Sequence, residues 1–111
     1  MNVTSEMAVV SDEVFGPVMV ILPVSSDADA LAKMNASPFG LTASLWTRNV
    51  EAASHLTEQL EFGTVFLNRC DYLDPALPWS GVKDSGKGVS LSTLGFDAFV
   101  RVKSWHFRLP A

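Results

Sequence analysis

Cysteine occurs once in the 111 residues, at Cys70. No disulfide can close within one copy of the chain and no multi-cysteine zinc site can be assembled, so a reducing cytoplasm is the compartment that fits. Basic residues are also few. Lys and Arg total 8 against 12 Asp and Glu, for a net charge of −4, and they are scattered. With no basic stripe to neutralise phosphates, nucleic acid is disfavoured as a partner, and the same acidity argues against an anionic membrane surface. Long apolar runs are missing as well. The longest, Val18 to Val24, is interrupted by Pro23 and falls far short of the roughly 20 residues that a spanning helix needs. The first seven residues lack the basic-then-apolar order of a signal peptide. The two histidines, His55 and His106, stand at no metal-ligand spacing, so no metal site is expected. No internal repeat or low-complexity tract is present.

What is there reads as one globular α/β domain. Apolar residues make up 48% of the chain, and a chain of this size can bury roughly 65% of its unfolded surface. A short strand is predicted around Met7 to Val10, and the continuously apolar run Pro17 to Val24 suits a strand covered on both faces. Ser25, Ser26 and Asp27 are N-cap types ahead of a short helix over Ala28 to Ala36, which Ser37-Pro38 stops. Leu41 to Thr47 is β-prone. Asn49 caps a second helix through Leu60, and Gly63 is placed to end it in a left-handed conformation. Thr64 to Leu67 follows as a compact strand. Alternation of strand and helix predicts a parallel sheet with flanking helices. From Asn68 to Gly88 periodicity disappears, leaving a loop of about twenty residues where α/β sheets place their ligands. A third helix is predicted over Leu91 to Val100. The last segment, Lys103 to Leu109, alternates, with Trp105, Phe107 and Leu109 on one face, and is a strand in need of a partner.

Several residues carry chemical meaning by type and position. In Glu13-Val-Phe-Gly-Pro-Val18, the Gly-Pro corner places Glu13 and Phe15 at the mouth of the predicted strand. An acid and a ring two residues apart share a side in extended chain, which suits a hydroxylated flat ligand such as a nucleoside. Gly81 to Lys87 has the spacing of a phosphate-binding loop, but Gly88 stands where Ser or Thr should follow and no hydrophobic strand precedes it, so the glycines read as turns. Cys70 lies just past a strand end, yet His55 and His106 belong to other elements, and the thiol reads as a small hydrophobe rather than a nucleophile. Trp79 follows Pro78 in the loop and serves either as a pocket wall or as a loop anchor.

Four stretches in order resemble the C-terminal part of an aldehyde dehydrogenase. They are Glu13-Val-Phe-Gly-Pro-Val18, Asn35 with Phe39 to Thr47, Gly63-Thr-Val-Phe-Leu-Asn68, and Pro78-Trp-Ser-Gly-Val-Lys-Asp-Ser-Gly86. The resemblance implies a partial catalytic domain over residues 1–102 and an oligomerisation arm over 103–111. It implies that Glu13 holds the nicotinamide-side ribose of NAD or NADP and that Phe15 packs near the nicotinamide. Asn68, Cys70, Asp71 and Trp79 become substrate-pocket residues, and Trp105, Phe107 and Leu109 the strand that pairs with another subunit. The family's nucleophilic cysteine, general-base glutamate and Gly-rich dinucleotide fold lie upstream and match nothing here. The expectation is therefore an enzyme segment with no catalytic residue of its own, inactive and without tight cofactor binding when alone, at least dimeric, with the missing upstream part as a partner. The alternative is a self-associating interaction or regulatory module. Val89-Ser90 departs from the Arg-Glu that many members carry, which bears on how the third helix docks.

Overall fold

A computed structural model describes residues 3–70 and 72–110. Helix formation begins where capping chemistry is local. Helix α1 is a single turn, Ala8–Ser11, in place of the strand predicted there. Helix α2, Asp27–Asn35, starts at Ser26, whose side chain accepts from the Asp29 amide, and α3, Val50–Thr57, starts at Asn49, which accepts from the Ala52 amide. Each cap satisfies an amide that the helix itself leaves without a partner. Helix α3 ends three residues short of Leu60, which nevertheless packs inward.

The strands are short and pair in twos. β1 (Phe39–Gly40) runs antiparallel to β5 (Val82–Lys83), and β4 (Trp79–Ser80) antiparallel to β6 (Val89–Ser90). β2 (Thr42–Leu45) and β3 (Thr64–Leu67) form the parallel pair, in register Thr42↔Thr64 to Leu45↔Leu67, with α3 as the connection between them. The predicted loop from Asn68 to Gly88 therefore holds β4 and β5. A 3₁₀ helix, Thr93–Phe99, replaces the third α-helix; Leu91 and Ser92 before it both take positive φ, at 62° and 51°.

Gly63 does not end α3 by a left-handed turn. A Cβ there would collide with the Ser80 carbonyl, so the glycine is what lets β3 begin against β4. Gly16, likewise, has open space around it and is not among the positive-φ residues.

The larger correction concerns the apolar run. Residues 17–24 form no strand; Val18, Met19, Ile21 and Val24 are exposed, Met19 by 84%. The buried apolar core consists of Ala43, Ala53 and Leu60 alone among the described residues. The chain exposes 9368 Å², against roughly 6,000 Å² for a compact protein of this mass, so it buries about 46% of its unfolded surface rather than the expected fraction. Its radius of gyration is 19.6 Å, with extents of 79 × 32 × 24 Å, where a compact domain of this length has about 13 Å. Val20 and Leu22 are half-buried and Lys33 Nζ donates to the Pro23 carbonyl at 3.0 Å, but no strand among the described residues pairs with the run, so its strand propensity goes unused.

What is well tied lies around β1 and β5. Asn35, at the end of α2, donates from Nδ2 to the Gln59 carbonyl at 2.8 Å and accepts at Oδ1 from the Glu61 amide at 3.0 Å. Lys83 Nζ donates to the carbonyls of Asn35 (2.7 Å) and Ser37 (3.1 Å) and pairs with Glu61 Oε2 at 2.9 Å. All three ammonium protons are thereby used. Among the described residues no helix is long and apolar enough to cross a membrane.

Candidate functional site

Three clefts lie along the β2–β3 pair and the loop that follows it. The first, about 460 Å³, is lined by Glu13 together with Phe39, Leu41, Thr42, Phe62 and Asp84. The second, about 170 Å³, is lined by Cys70, Tyr72, Leu73 and Trp79 against Thr42 and Phe66. The third, also about 170 Å³, lies along Phe66, Arg69, Tyr72, Asp74, Leu77, Trp79 and Leu91. Thr42 is common to the first two, and Phe66, Tyr72 and Trp79 to the last two. Glu13, Cys70 and Trp79, far apart in sequence, thus border adjoining clefts. The parallel pairing of β2 with β3 is what brings the two halves of the site together.

The other expected residues separate. Phe15 is 92% exposed and lines none of these clefts. Asn68 is committed elsewhere. Its φ is 55°, a conformation Asn tolerates better than most residues; its Oδ1 accepts from the Thr47 amide at 3.0 Å and its Nδ2 donates to the Thr47 carbonyl at 2.9 Å. The side chain extends the β2–β3 ladder by one rung and borders neither small cleft. Asp71 lies outside the described residues. Trp105, Phe107 and Leu109 are exposed, at 69, 72 and 83%, on a terminal segment that pairs with no strand among the described residues. The Trp105 and Phe107 rings meet edge to face at 5.6 Å, which the shared face of an alternating segment permits.

Arg69 is the residue that sequence reasoning passed over, although it stands between two that were singled out. Its guanidinium carbon lies 4.2 Å from the centre of the Tyr72 ring, a cation–π arrangement. Ser44 Oγ donates to its carbonyl, which fixes the start of the loop against β2. The sequence signal for it was an Arg and a Tyr three residues apart in an otherwise aperiodic loop.

Chemically, the first cleft offers a carboxylate facing aromatic walls. Glu13 has two acceptor oxygens for vicinal hydroxyls, and Phe39 and Phe62 offer flat apolar surface. That suits a hydroxylated ligand with a flat face. A pyrophosphate calls for backbone amides at a helix N-terminus, and no such end lines the cleft among the described residues. Nor do three His, Cys, Asp or Glu side chains come together anywhere among the described residues to hold a metal ion. The Gly81 to Lys87 stretch contains β5 and leads into β6 rather than a helix, and Gly86 and Gly88 adopt φ of 136° and 86°. Those are turn glycines, not a phosphate cradle.

Comparison with known proteins gives one consistent result. Residues 1–105 match the aldehyde dehydrogenase family. An aldehyde dehydrogenase of Paenarthrobacter nicotinovorans is 41% identical over 93% of this chain, which corresponds to 22% of that protein. A solved NAD-dependent aldehyde dehydrogenase from Sinorhizobium meliloti superposes on 98% of this chain and 22% of its own, with 36% identity and a TM-score of 0.92. The NAD+ complex of an aldehyde dehydrogenase from Bacillus cereus does so over 92% and 21%, with 36% identity and a TM-score of 0.88. The chain spans about a fifth of the length of the relatives it matches.

Proposed function

The chain belongs to the aldehyde dehydrogenase family, and we propose that it supplies the C-terminal portion of such an enzyme's catalytic domain, completing the cofactor and aldehyde sites rather than forming a whole catalyst. The observation that carries this reading is its uncovered apolar surface. A run such as residues 17–24, continuously apolar yet unpaired among the described residues and with Val18, Met19, Ile21 and Val24 exposed, is what remains of a central strand when its neighbours belong to another stretch of polypeptide. In the assembled enzyme residues 1–102 complete the domain, and residues 103–111 add a strand to another subunit.

Within that enzyme Glu13 accepts hydrogen bonds from the ribose hydroxyls of NAD or NADP, and Phe15 covers the nicotinamide side. When bound, the nicotinamide accepts the hydride that leaves the substrate carbon. Trp79, with Cys70 and Asp71 on the same loop, shapes the aldehyde pocket and excludes water, while Asn68 holds that loop to β2. The thiolate that attacks the aldehyde and the base that activates water come from polypeptide outside the matching motifs. Alone, the chain binds the dinucleotide weakly and turns over no aldehyde. The reducing cytoplasm inferred from its single cysteine completes the proposal.

The test is reconstitution. The chain and the upstream portion of a family catalytic domain are mixed as separate polypeptides, sedimented together and assayed for aldehyde oxidation with NAD and NADP. A defined complex that oxidises aldehydes, with Glu13→Gln raising the cofactor KM about 10-fold or more, supports the reading. A discrete oligomer of the chain alone that ignores the complement overturns it in favour of a self-associating module.

A further inference from the structure

Resting on the family role proposed above, we infer that Arg69 recognises the tail of the substrate, and that this site prefers aldehydes carrying a carboxylate at the end opposite the reacting group, on a short apolar body. The cleft beside Trp79 has Phe66, Leu77 and Leu91 as its other apolar walls, which suits a few methylene groups. Arg69 stands in the same wall, its guanidinium stacked on Tyr72 at 4.2 Å. A guanidinium held by its face keeps its N–H edges open, and those edges form a planar fork that matches the two oxygens of a carboxylate. Among the described residues the ion pairs are Lys33–Asp29 and Lys83–Glu61, so no described carboxylate occupies that fork. Among the described residues Asp74 is the other charged one lining the cleft. One of its oxygens accepts from the Ala76 amide at 2.9 Å, which commits it to its own turn, yet its charge opposes an incoming anion.

The experiment compares butanal with 4-oxobutanoate, equal in carbon number and differing by the terminal carboxylate, in the reconstituted enzyme. The readout is the ratio of their kcat/KM values. Arg69→Gln lowers the carboxylate-to-neutral ratio about 10- to 100-fold, the range expected for a charge-assisted hydrogen-bonded pair. Arg69→Lys lowers it less, since the charge survives without the fork. Asp74→Asn, which keeps the turn's acceptor and removes the charge, raises it about 2- to 5-fold. A ratio unmoved by Arg69→Gln overturns the assignment. Should the reconstituted complex oxidise neither aldehyde, the family role fails by itself, and a binding measurement decides the fork separately: the chain is titrated with succinate and with succinamide while the Arg69 Nε–H resonance is followed. Movement with succinate alone sustains the fork. An equal response to both, or none to either, rejects it.

Discussion

At the residue scale the chain shows how much depends on which backbone group a polar side chain finds. Asn68 illustrates it: a position that reads as a pocket residue from sequence spends both ends of its amide on Thr47. Replacement by Ala removes two hydrogen bonds and leaves a left-handed φ to a residue that resists it, costing about 1–3 kcal/mol. Amide exchange at Thr47 reports the loss as faster exchange. Asn68→Asp separates the two contributions, because the acceptor for the Thr47 amide survives and the donor to its carbonyl does not; Thr47 keeps its protection while the strand pair weakens. Equal protection of Thr47 in the Ala variant and the parent would refute this role. Cys70 and Trp79 line one small cleft; loop position left Trp79 open between pocket wall and loop anchor, and Cys70 joined the pocket set only through the family resemblance. Arg69 was not, since its value comes from stacking on Tyr72, a contact that depends on how the loop folds.

Among elements, the ends are where the physics is concentrated. Lys83 ties the C-terminus of α2 to β5 through two carbonyls, with Glu61 as a third acceptor. The two carbonyls are part-buried, whereas the Glu61 side chain is 61% exposed, so the ion pair is screened and the backbone contacts dominate. Lys83→Met is expected to destabilise by about 1–3 kcal/mol and Glu61→Gln by less than about 1 kcal/mol, measured as shifts in the urea midpoint. A larger loss from Glu61→Gln would reverse that ranking. The start of α2 is sensitive to pH. Asp29 accepts from the Ser25 amide and pairs with Lys33, and the Ser25 hydrogen bond first, the Lys33 contact next, hold its carboxyl below the ordinary carboxylate range. A lowered folded-state pKa means that this stabilisation is complete above the ordinary carboxylate value and disappears as the pH falls through the lowered one. Acidification below about pH 4 should therefore fray the first turn of α2, seen in the backbone chemical shifts of Ser25 and Asp29. Asp29→Asn should lack that transition; its persistence in the variant would assign it to another group.

For the whole molecule the governing quantity is area. The chain exposes 9368 Å², roughly half as much again as a compact protein of its mass, and Phe96, Phe99, Val102, Trp105 and Phe107 are all largely in solvent. Alone, it should bind an apolar dye and form assemblies that grow with concentration, and both effects should vanish when the complementary portion is added. Changing Trp105, Phe107 and Leu109 together to Ser should reduce self-association in sedimentation; an unchanged distribution would remove that face from the assembly. Features whose causes lie within a few residues were legible before any fold was known: the caps at Ser26 and Asn49, the strands β2 and β3, the aperiodic loop and the motifs that mark the family. Packing of distant segments set the rest: β4 and β5 interrupt that loop, Gly63 makes room for Ser80, and Glu13 and Trp79 border clefts sharing Thr42. Packing likewise leaves the apolar run of residues 17–24 without a strand partner among the described residues. The reason is physical: a cap or a helical turn closes within one stretch of chain, but a strand and a core exist only where a second stretch arrives to pair with the backbone and cover the side chains.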